Sequence, residues 1–423
     1  MKKIYFIGIG GIGISALARY FLSQNWQISG SDNCDSEIIG DLKKLGVRIT
    51  IGVNPKNIKG NISLVVYTAA IRSDHAEFKQ AKLLGIETKS YAEVLGELTK
   101  KYWTIAISGS HGKSTTTALI SLILIKAGFD PTVIIGTKLK EFGGSNFRLG
   151  QSKYLVIEAD EWNKSFLNYS PQMVVLTNID KEHLDTYGTE AGVVKTFSEY
   201  INHLPKSGIV IANWQDKNSR KVAESKKCRV VFYNKNKMPC HKLKIFGVHN
   251  QLNAEAAWQV AKVLGVKKNI AAKALWEYKG AWRRLEKLKP NIYSDYAHHP
   301  TEIKATLAAL RQKYPKQKIT CVLEPHQADR LTRLFTDFKD AFYGADKIIL
   351  VPTYKPKGRE LLTNEKTSLD LYKAIKNKYN ASYCDSFEEV KKHIAISNKN
   401  NVFVFMSAGD LDNWLRHELL CFK

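Results

Sequence analysis

One pattern limits what this chain can fold into: a short apolar run, a turn rich in glycine or polar groups, then a helix-forming stretch. Its sharpest instance runs from Trp103-Thr104-Ile105-Ala106-Ile107, through Ser108-Gly109-Ser110-His111-Gly112-Lys113-Ser114-Thr115, into an apolar stretch containing Leu119-Ile120 and Leu122-Ile123-Leu124. Apolar runs this short read as strands buried on both faces, and their alternation with helices predicts parallel sheets. Ile4–Ile7, Leu64–Tyr67, Tyr154–Ile157, Met173–Leu176, Ile292–Ser294, Ile319–Leu323 and Lys347–Val351 repeat the pattern. A chain of 423 residues accommodates about three domains at ~150 residues each. The expected fold is three consecutive α/β domains over residues 1–97, 98–281 and 282–423.

The turn after Ile107 points backbone N–H groups at one spot, at the positive end of the following helix, as a phosphate requires. Gly109, Ser110, His111, Gly112, Lys113, Ser114 and Thr115 form this candidate nucleotide loop. Lys113 supplies a full positive charge, and the hydroxyl of Ser114 or Thr115 is a ligand for Mg²⁺. The loop is shorter than the common G-x-x-x-x-G-K-[ST] form, because only two residues separate Gly109 from Gly112.

A second glycine turn, Gly8-Ile9-Gly10-Gly11-Ile12-Gly13, follows the first apolar run, and Asp32 lies 19 residues beyond Gly13. That arrangement suits a diphosphate on a helix N-terminus with an acid near a ribose. A nicotinamide dinucleotide and a UDP-linked molecule satisfy it equally. Further on, Glu158, Asp160 and Glu161 crowd a strand end, where they repel one another unless solvated or met by a cation. Thr177–Asp185 follows another strand and carries His183. Asn250 and Asn253 open a helix, as caps or as readers of a base edge. Arg283 and Arg284 stand at a domain join. Asp295, Tyr296 and His298 follow a strand and precede Pro300, and His326 and Arg330 follow the next one. Arg330 suits a carboxylate partner.

Composition narrows the class. The net charge of +24 admits nucleic acid, anionic membrane or small anionic substrates. The lysine pairs are scattered (Lys43-Lys44, Lys226-Lys227, Lys267-Lys268), which weakens the nucleic-acid reading. Six cysteines, Cys34, Cys228, Cys240, Cys321, Cys384 and Cys421, show no C-x-x-C spacing; neither a zinc ribbon nor a disulfide framework is expected. The N-terminal apolar run is broken by glycines and Arg19, unlike a signal peptide. A soluble, cytoplasmic chain without membrane insertion is expected.

Eight motifs in order resemble the Mur ligases. They are G-x-G-G-x-G at Gly8–Gly13, G-S-D at Gly30–Asp32, G-S-H-G-K-S-T at Gly109–Thr115 and E-A-D-E at Glu158–Glu161. The others are N-I-D-x-x-H-L-D at Asn178–Asp185, G-x-H-N-x-x-N at Gly247–Asn253, D-Y-A-H-H-P-T-E at Asp295–Glu302 and P-H-x-x-x-R at Pro325–Arg330. The resemblance implies a Rossmann-like N-terminal domain, a P-loop-type central ATPase domain and a Rossmann-like C-terminal domain. It also implies ATP and Mg²⁺, and a reaction joining L-alanine to UDP-N-acetylmuramate through an acyl phosphate, in peptidoglycan precursor synthesis. By that likeness Lys113, Glu158, His183 and Arg284 are catalytic, and Ser114, Glu158 and His183 hold the metal. Gly109–Thr115, Asn250, Asn253 and Asp295 take ATP. Gly8, Gly10, Gly11, Gly13 and Asp32 take the UDP part, and Tyr296, His298, His326 and Arg330 the amino acid. The chain departs from the family pattern at Trp162-Asn163, where Ser-Asp is usual, at Glu324 for Gln, and at Asp329 for a hydroxyl residue. A related ligase that recycles muramyl peptides is the nearest alternative. An NAD-dependent oxidoreductase and a non-catalytic nucleotide-binding protein are further ones.

Overall fold

The computed structural model describes residues 2–234, 243–355, 364–395 and 400–421. Its described residues form three sheets. In the first, β1 (Lys3–Ile7), β2 (Gln27–Asp32), β3 (Arg48–Ile51), β4 (Leu64–Tyr67) and β5 (Thr88–Ser90) run parallel in the order β3-β2-β1-β4-β5. The second contains β6 (Trp103–Ser108), β7 (Thr132–Leu139), β8 (Ser145–Arg148), β9 (Tyr154–Glu158), β10 (Met173–Leu176), β11 (Ile209–Asn213) and β12 (Arg229–Tyr233). Their order is β12-β11-β10-β6-β9-β7-β8, parallel except for the edge strand β8. The third holds β13 (Glu286–Lys289), β14 (Ile292–Asp295), β15 (Ile319–Glu324), β16 (Lys347–Leu350), β17 (Ala381–Tyr383) and β18 (Val402–Ser407), in the order β13-β14-β18-β15-β16-β17. Here β13 alone is antiparallel to its neighbour.

The central strands are apolar because helices cover both faces of each sheet. Ile4, Phe6 and Ile7, Ile105–Ile107, Met173–Leu176 and Val402–Met406 are all buried. In the first two sheets the first strand lies inside the order, so the chain leaves it toward one side and later returns to the other; in the third the chain runs from β15 out to β17 and returns to lay β18 between β14 and β15. Ligands of open α/β sheets bind where that reversal opens a crevice at the strands' carboxyl ends. The glycine turns after β1 and β6 and the Asp295 turn after β14 all stand at such ends.

By their internal contacts the three sheets fall into two compact units. The first contains residues 1–182, 189–241 and 252–277, with the first two sheets; the second contains 183–188, 242–251 and 278–423. The first two sheets share a unit because the hairpin of β7 and β8 packs on the helix Ile12–Ser23. Asn146 donates to the Ile12 carbonyl at 2.5 Å and to Ser15 Oγ at 2.9 Å. Nearly buried Lys138 pairs with Glu37 at 2.6 Å and Asp41 at 2.7 Å. The strands β7 and β8 have no counterpart in the sequence reading. The helix that Asn250 and Asn253 are expected to open begins at Val248.

Among the described residues Cys34, Cys228, Cys321 and Cys384 are free thiols; Cys240 lies outside them. No helix of the described residues is long and apolar enough to cross a membrane.

Candidate active site

The phosphate loop is held open by backbone shapes that only glycine adopts easily. Gly109 has φ +135° and Gly112 φ +85°, and a Cβ on either would come within 2.1 Å of Thr177 Oγ1 or 2.4 Å of Asn253 Oδ1. Gly112 caps the helix Lys113–Lys126 without any side-chain hydrogen bond. The first N–H groups of that helix thus face the loop, as an anion site requires.

The stretch after β10 straps this loop. Asn178 Oδ1 accepts the His111 N–H at 2.9 Å, and its Nδ2 donates to the His111 carbonyl at 3.0 Å. Thr177 Oγ1 donates to the same carbonyl at 2.6 Å, and the Asp180 N–H donates to Ser110 Oγ at 2.9 Å. The His111 ring meets Asp180 at 3.0 Å. Sequence reasoning valued this stretch for His183 and missed the clamp made by Asn178 and Asp180. The parallel pairing of β10 with β6, Leu176 beside Ser108, is what brings the two turns together.

On the other side, β9 pairs with β6 and sets Glu158 beside Ile107. Ser114 Oγ donates to Glu158 Oε2 at 3.1 Å, while Glu158 Oε1 accepts the Gly136 N–H at 2.6 Å. Two hard oxygen donors at the foot of a phosphate loop fit Mg²⁺. The third expected ligand, His183, falls in the second unit, where it precedes the helix Leu184–Tyr187 with φ 53°.

The crowded acidic turn finds its cation within the protein. Lys113 Nζ lies 2.7 Å from Glu161 and 3.8 Å from Asp160, and also donates to the Gly109 carbonyl at 2.7 Å. Burial opposes the charge on Lys113, but Glu161 and Asp160 outweigh it and hold the ammonium protonated well above the usual lysine range. Burial pushes Glu161 up to about 8, against the pull of Lys113. Sequence reading had counted the acids and the lysine separately.

In the N-terminal turn Gly8 has φ +79°, and a Cβ there would lie 2.2 Å from Thr68 Cγ2. Asp32 Oδ2 accepts the Gly10 N–H at 2.8 Å, so this acid braces the turn itself. A cavity of about 350 Å³ opens beside it, lined by Gly8, Gly10, Gly11 and Asp32 among others. Gly13 is not in that lining. It lets the helix approach Tyr91, whose ring a Cβ would meet at 3.0 Å.

The helix Val248–Val263 carries both expected asparagines. Asn253, in the first unit, accepts from Thr116 Oγ1 at 3.2 Å beside the phosphate loop. Asn250, in the second, donates to the Phe246 carbonyl at 2.9 Å.

Within the second unit side chains from three strand ends cluster together. His298 after β14 and His326 after β15 lie 5.5 Å apart; Tyr296 flanks the first at 5.2 Å, and Tyr354 stacks on the second at 5.4 Å. Buried Arg330 reaches His326 Nδ1 at 3.2 Å. Gly409 after β18 leaves the space that Tyr354 fills, since a Cβ would sit 2.5 Å from that ring. Tyr354 was missed because nothing in Pro352–Lys355 marks it. Asp329 turns outward to Arg333 at 2.7 Å. Glu324 is buried under Gly409 and accepts from Ser407 Oγ at 2.5 Å and the Leu411 N–H at 3.1 Å. Burial raises its carboxyl above the usual range.

Asp295 accepts the N–H groups of Ala297 at 2.8 Å and Leu285 at 2.7 Å. It thereby ties the Arg283–Leu285 turn, with φ 54° at Arg283 and 46° at Leu285, to the end of β14. Burial pushes it up to about 6, opposed by Arg284. Arg284 lies over the Tyr296 ring at 5.0 Å.

The model of the Mur ligase family catalytic domain matches residues 3–103, that of the Mur ligase middle domain 107–242, and that of the Mur ligase glutamate ligase domain 283–409. The chain belongs to the Mur ligase family. The UDP-N-acetylmuramate–L-alanine ligase of Caldicellulosiruptor saccharolyticus is 38% identical, over 97% of both chains. That of Aquifex aeolicus is 36% identical, over 98% of this chain and 96% of its own. Among solved structures, the UDP-N-acetylmuramate-alanine ligase MurC from Thermotoga maritima superposes with a TM-score of 0.83 at 26% identity, covering 100% of this chain and 99% of its own. A murein peptide ligase from Psychrobacter arcticus shares the Mur ligase fold, with a TM-score of 0.73 at 22% identity over 99% of this chain and 98% of its own.

Proposed function

We propose that this Mur ligase joins L-alanine to UDP-N-acetylmuramate at the expense of ATP, as its named relatives at 36–38% identity over nearly the whole chain do. The observation that carries the reading is the loop Gly109–Thr115, with Lys113 inside it and the Ser114–Glu158 oxygen pair at its foot. Such a site takes a triphosphate and a divalent cation.

In the proposed reaction a carboxylate oxygen of the muramyl lactyl group attacks the γ-phosphorus, and the bond to the ADP oxygen breaks. The alanine nitrogen then attacks the acyl phosphate carbon. The tetrahedral intermediate expels phosphate and leaves an amide, and the amine gives up a proton. Two anions must first be brought together, so positive charge is the site's main requirement. Lys113 and the loop N–H groups supply it at the phosphates. Mg²⁺ held by Ser114, Glu158 and His183 would neutralise further phosphate oxygens. In the same proposal Arg284 meets the γ-phosphate, Asn250 and Asn253 the adenine, and Asp295 the ribose, through the lone pairs its two backbone bonds leave. Gly8, Gly10, Gly11 and Asp32 take the UDP part, and Gly13 brings up the helix. Arg330 pairs the alanine carboxylate between Tyr296, His298 and His326. The module boundaries proposed are 1–97, 98–281 and 282–423, and the compartment the cytoplasm.

The deciding assay is phosphate release from ATP with UDP-N-acetylmuramate and, separately, L-alanine, L-serine, glycine and the muramyl tripeptide. L-Alanine is expected to give the highest kcat/KM. Turnover with the tripeptide alone would assign the chain to peptide recycling, and NADH binding would point to the oxidoreductase reading.

A further inference from the structure

Glu161 is an ionisable side chain wholly inaccessible to solvent, and the reaction as derived gives it no task. Its carboxylate lies 2.7 Å from Lys113 Nζ, which the Gly109 carbonyl also holds at 2.7 Å. An ammonium has three N–H donors; the two short bonds set the direction of the third, which in this structure reaches only the Ser110 carbonyl of the same loop, at 3.4 Å, a long bond that a phosphate oxygen can replace. Asp160 is a poorer partner, at 3.8 Å with half its side chain exposed.

The backbone that presents Glu161 is fixed at some expense. The chain turns through Asn163 at φ 51° and Lys164 at φ 56°, two successive left-handed non-glycine residues. Such strain persists only where the surroundings impose it. Here the Lys164 N–H donates to the Glu161 carbonyl at 2.9 Å, and the Phe166 N–H to the Asp160 carbonyl at 3.1 Å. Phe166 is buried, stacked on Tyr200 at 4.4 Å and edge-on to Phe197 at 5.1 Å. A carboxylate so placed partly cancels the charge that a phosphate seeks. Its contribution is therefore direction rather than affinity.

We infer that Glu161 is a positioning residue: it fixes the Lys113 ammonium against the loop wall so that the remaining N–H is aimed at the transferring phosphoryl group, while weakening ground-state attraction for the nucleotide. The inference rests on the phosphoryl-transfer reading of the loop.

The test compares Glu161→Gln with the unmodified full chain. Binding of ADP is measured by calorimetry, with Mg²⁺ and again in EDTA. Turnover is measured as phosphate release with ATP, UDP-N-acetylmuramate and L-alanine, and Tm is recorded alongside. The expected result is a kcat lowered by about a hundredfold, the scale of an ångström-level misplacement, with ADP bound as tightly as before or more tightly. An unchanged kcat would overturn the inference. So would ADP affinity and kcat falling together, which would make Glu161 a structural support of the loop. If the Gln protein does not fold, Glu161→Asp keeps the charge but withdraws it by one methylene, and the same split is expected of it. If the unmodified chain binds ADP but makes no amide, the ligase reading fails instead; the affinity arm still judges Glu161, because weaker ADP binding by the Gln protein would overturn its role.

Discussion

Two glycine turns in this Mur ligase begin alike and end differently. Each follows a buried parallel strand and opens a helix without a side-chain cap. The turn after β1 is braced by an acid, Asp32, on the Gly10 N–H, and faces a cavity of about 350 Å³. The turn after β6 is braced by the amide of Asn178, and it carries Lys113, fixed by Glu161. The first suits a diphosphate that is only held, for which a fixed N–H array suffices. The second suits a phosphate that must react, for which a full charge has to be aimed. Motif spacing makes the turns look equivalent; the residues behind them, Asp32 at one and Asn178, Lys113 and Glu161 at the other, set them apart.

The contrast breaks or stands on substitution. The largest effect is expected from Lys113→Ala, with kcat for phosphate release lowered by about 10²–10³-fold and the Kd of UDP-N-acetylmuramate unchanged by calorimetry. Weakened sugar-nucleotide binding would erase the distinction between the turns. Next, Asn178→Ala removes two bonds to His111, worth about 1–3 kcal/mol. A raised KM for ATP and a lowered Tm are expected, with the KM for UDP-N-acetylmuramate held. Third, Asp32→Asn keeps an acceptor for the Gly10 N–H but loses its charge. A KM for UDP-N-acetylmuramate raised about tenfold or less, the difference between charged and neutral hydrogen bonds, is expected, with ATP unaffected.

The smallest effect concerns pH. Burial lowers the His249 pKa to about 4 from an ordinary 6.5, against the opposing pull of Glu302. A histidine depressed in the fold binds its proton more readily when unfolded. Its stabilising contribution is therefore complete above pH 6.5 and is lost as pH falls toward 4. Thermal melts should show Tm declining across that window, and His249→Gln should flatten the decline.

Much of the site was legible because its determinants are local. A strand, two glycines and a lysine in sequence mark a strand-to-helix glycine turn of the kind that suits a phosphate, and Asp295-Tyr296-Ala297-His298 follows a strand end. Other parts were hidden because their meaning depends on neighbours far along the chain. Glu161 reads as one acid among three until the pairing of β9 with β6 lays it on Lys113. Asn178 reads as a spacer before His183 until β10 joins the other side of β6. Tyr354 has no sequence mark, and its place comes from stacking on His326 over Gly409. The hairpin of β7 and β8 went unseen, and with it the bonds from Lys138 and Asn146 that merge the first two modules into one unit.

By itself the sequence determined the three α/β modules, the glycine turns at their strand ends and the family, since these rest on short-range periodicity and on glycine's access to left-handed backbone. Which carboxylate pairs with the lysine, which amide straps the loop and which modules share a compact unit were decided only by tertiary structure. Those depend on which strands lie side by side, a long-range outcome of burying both faces of each sheet.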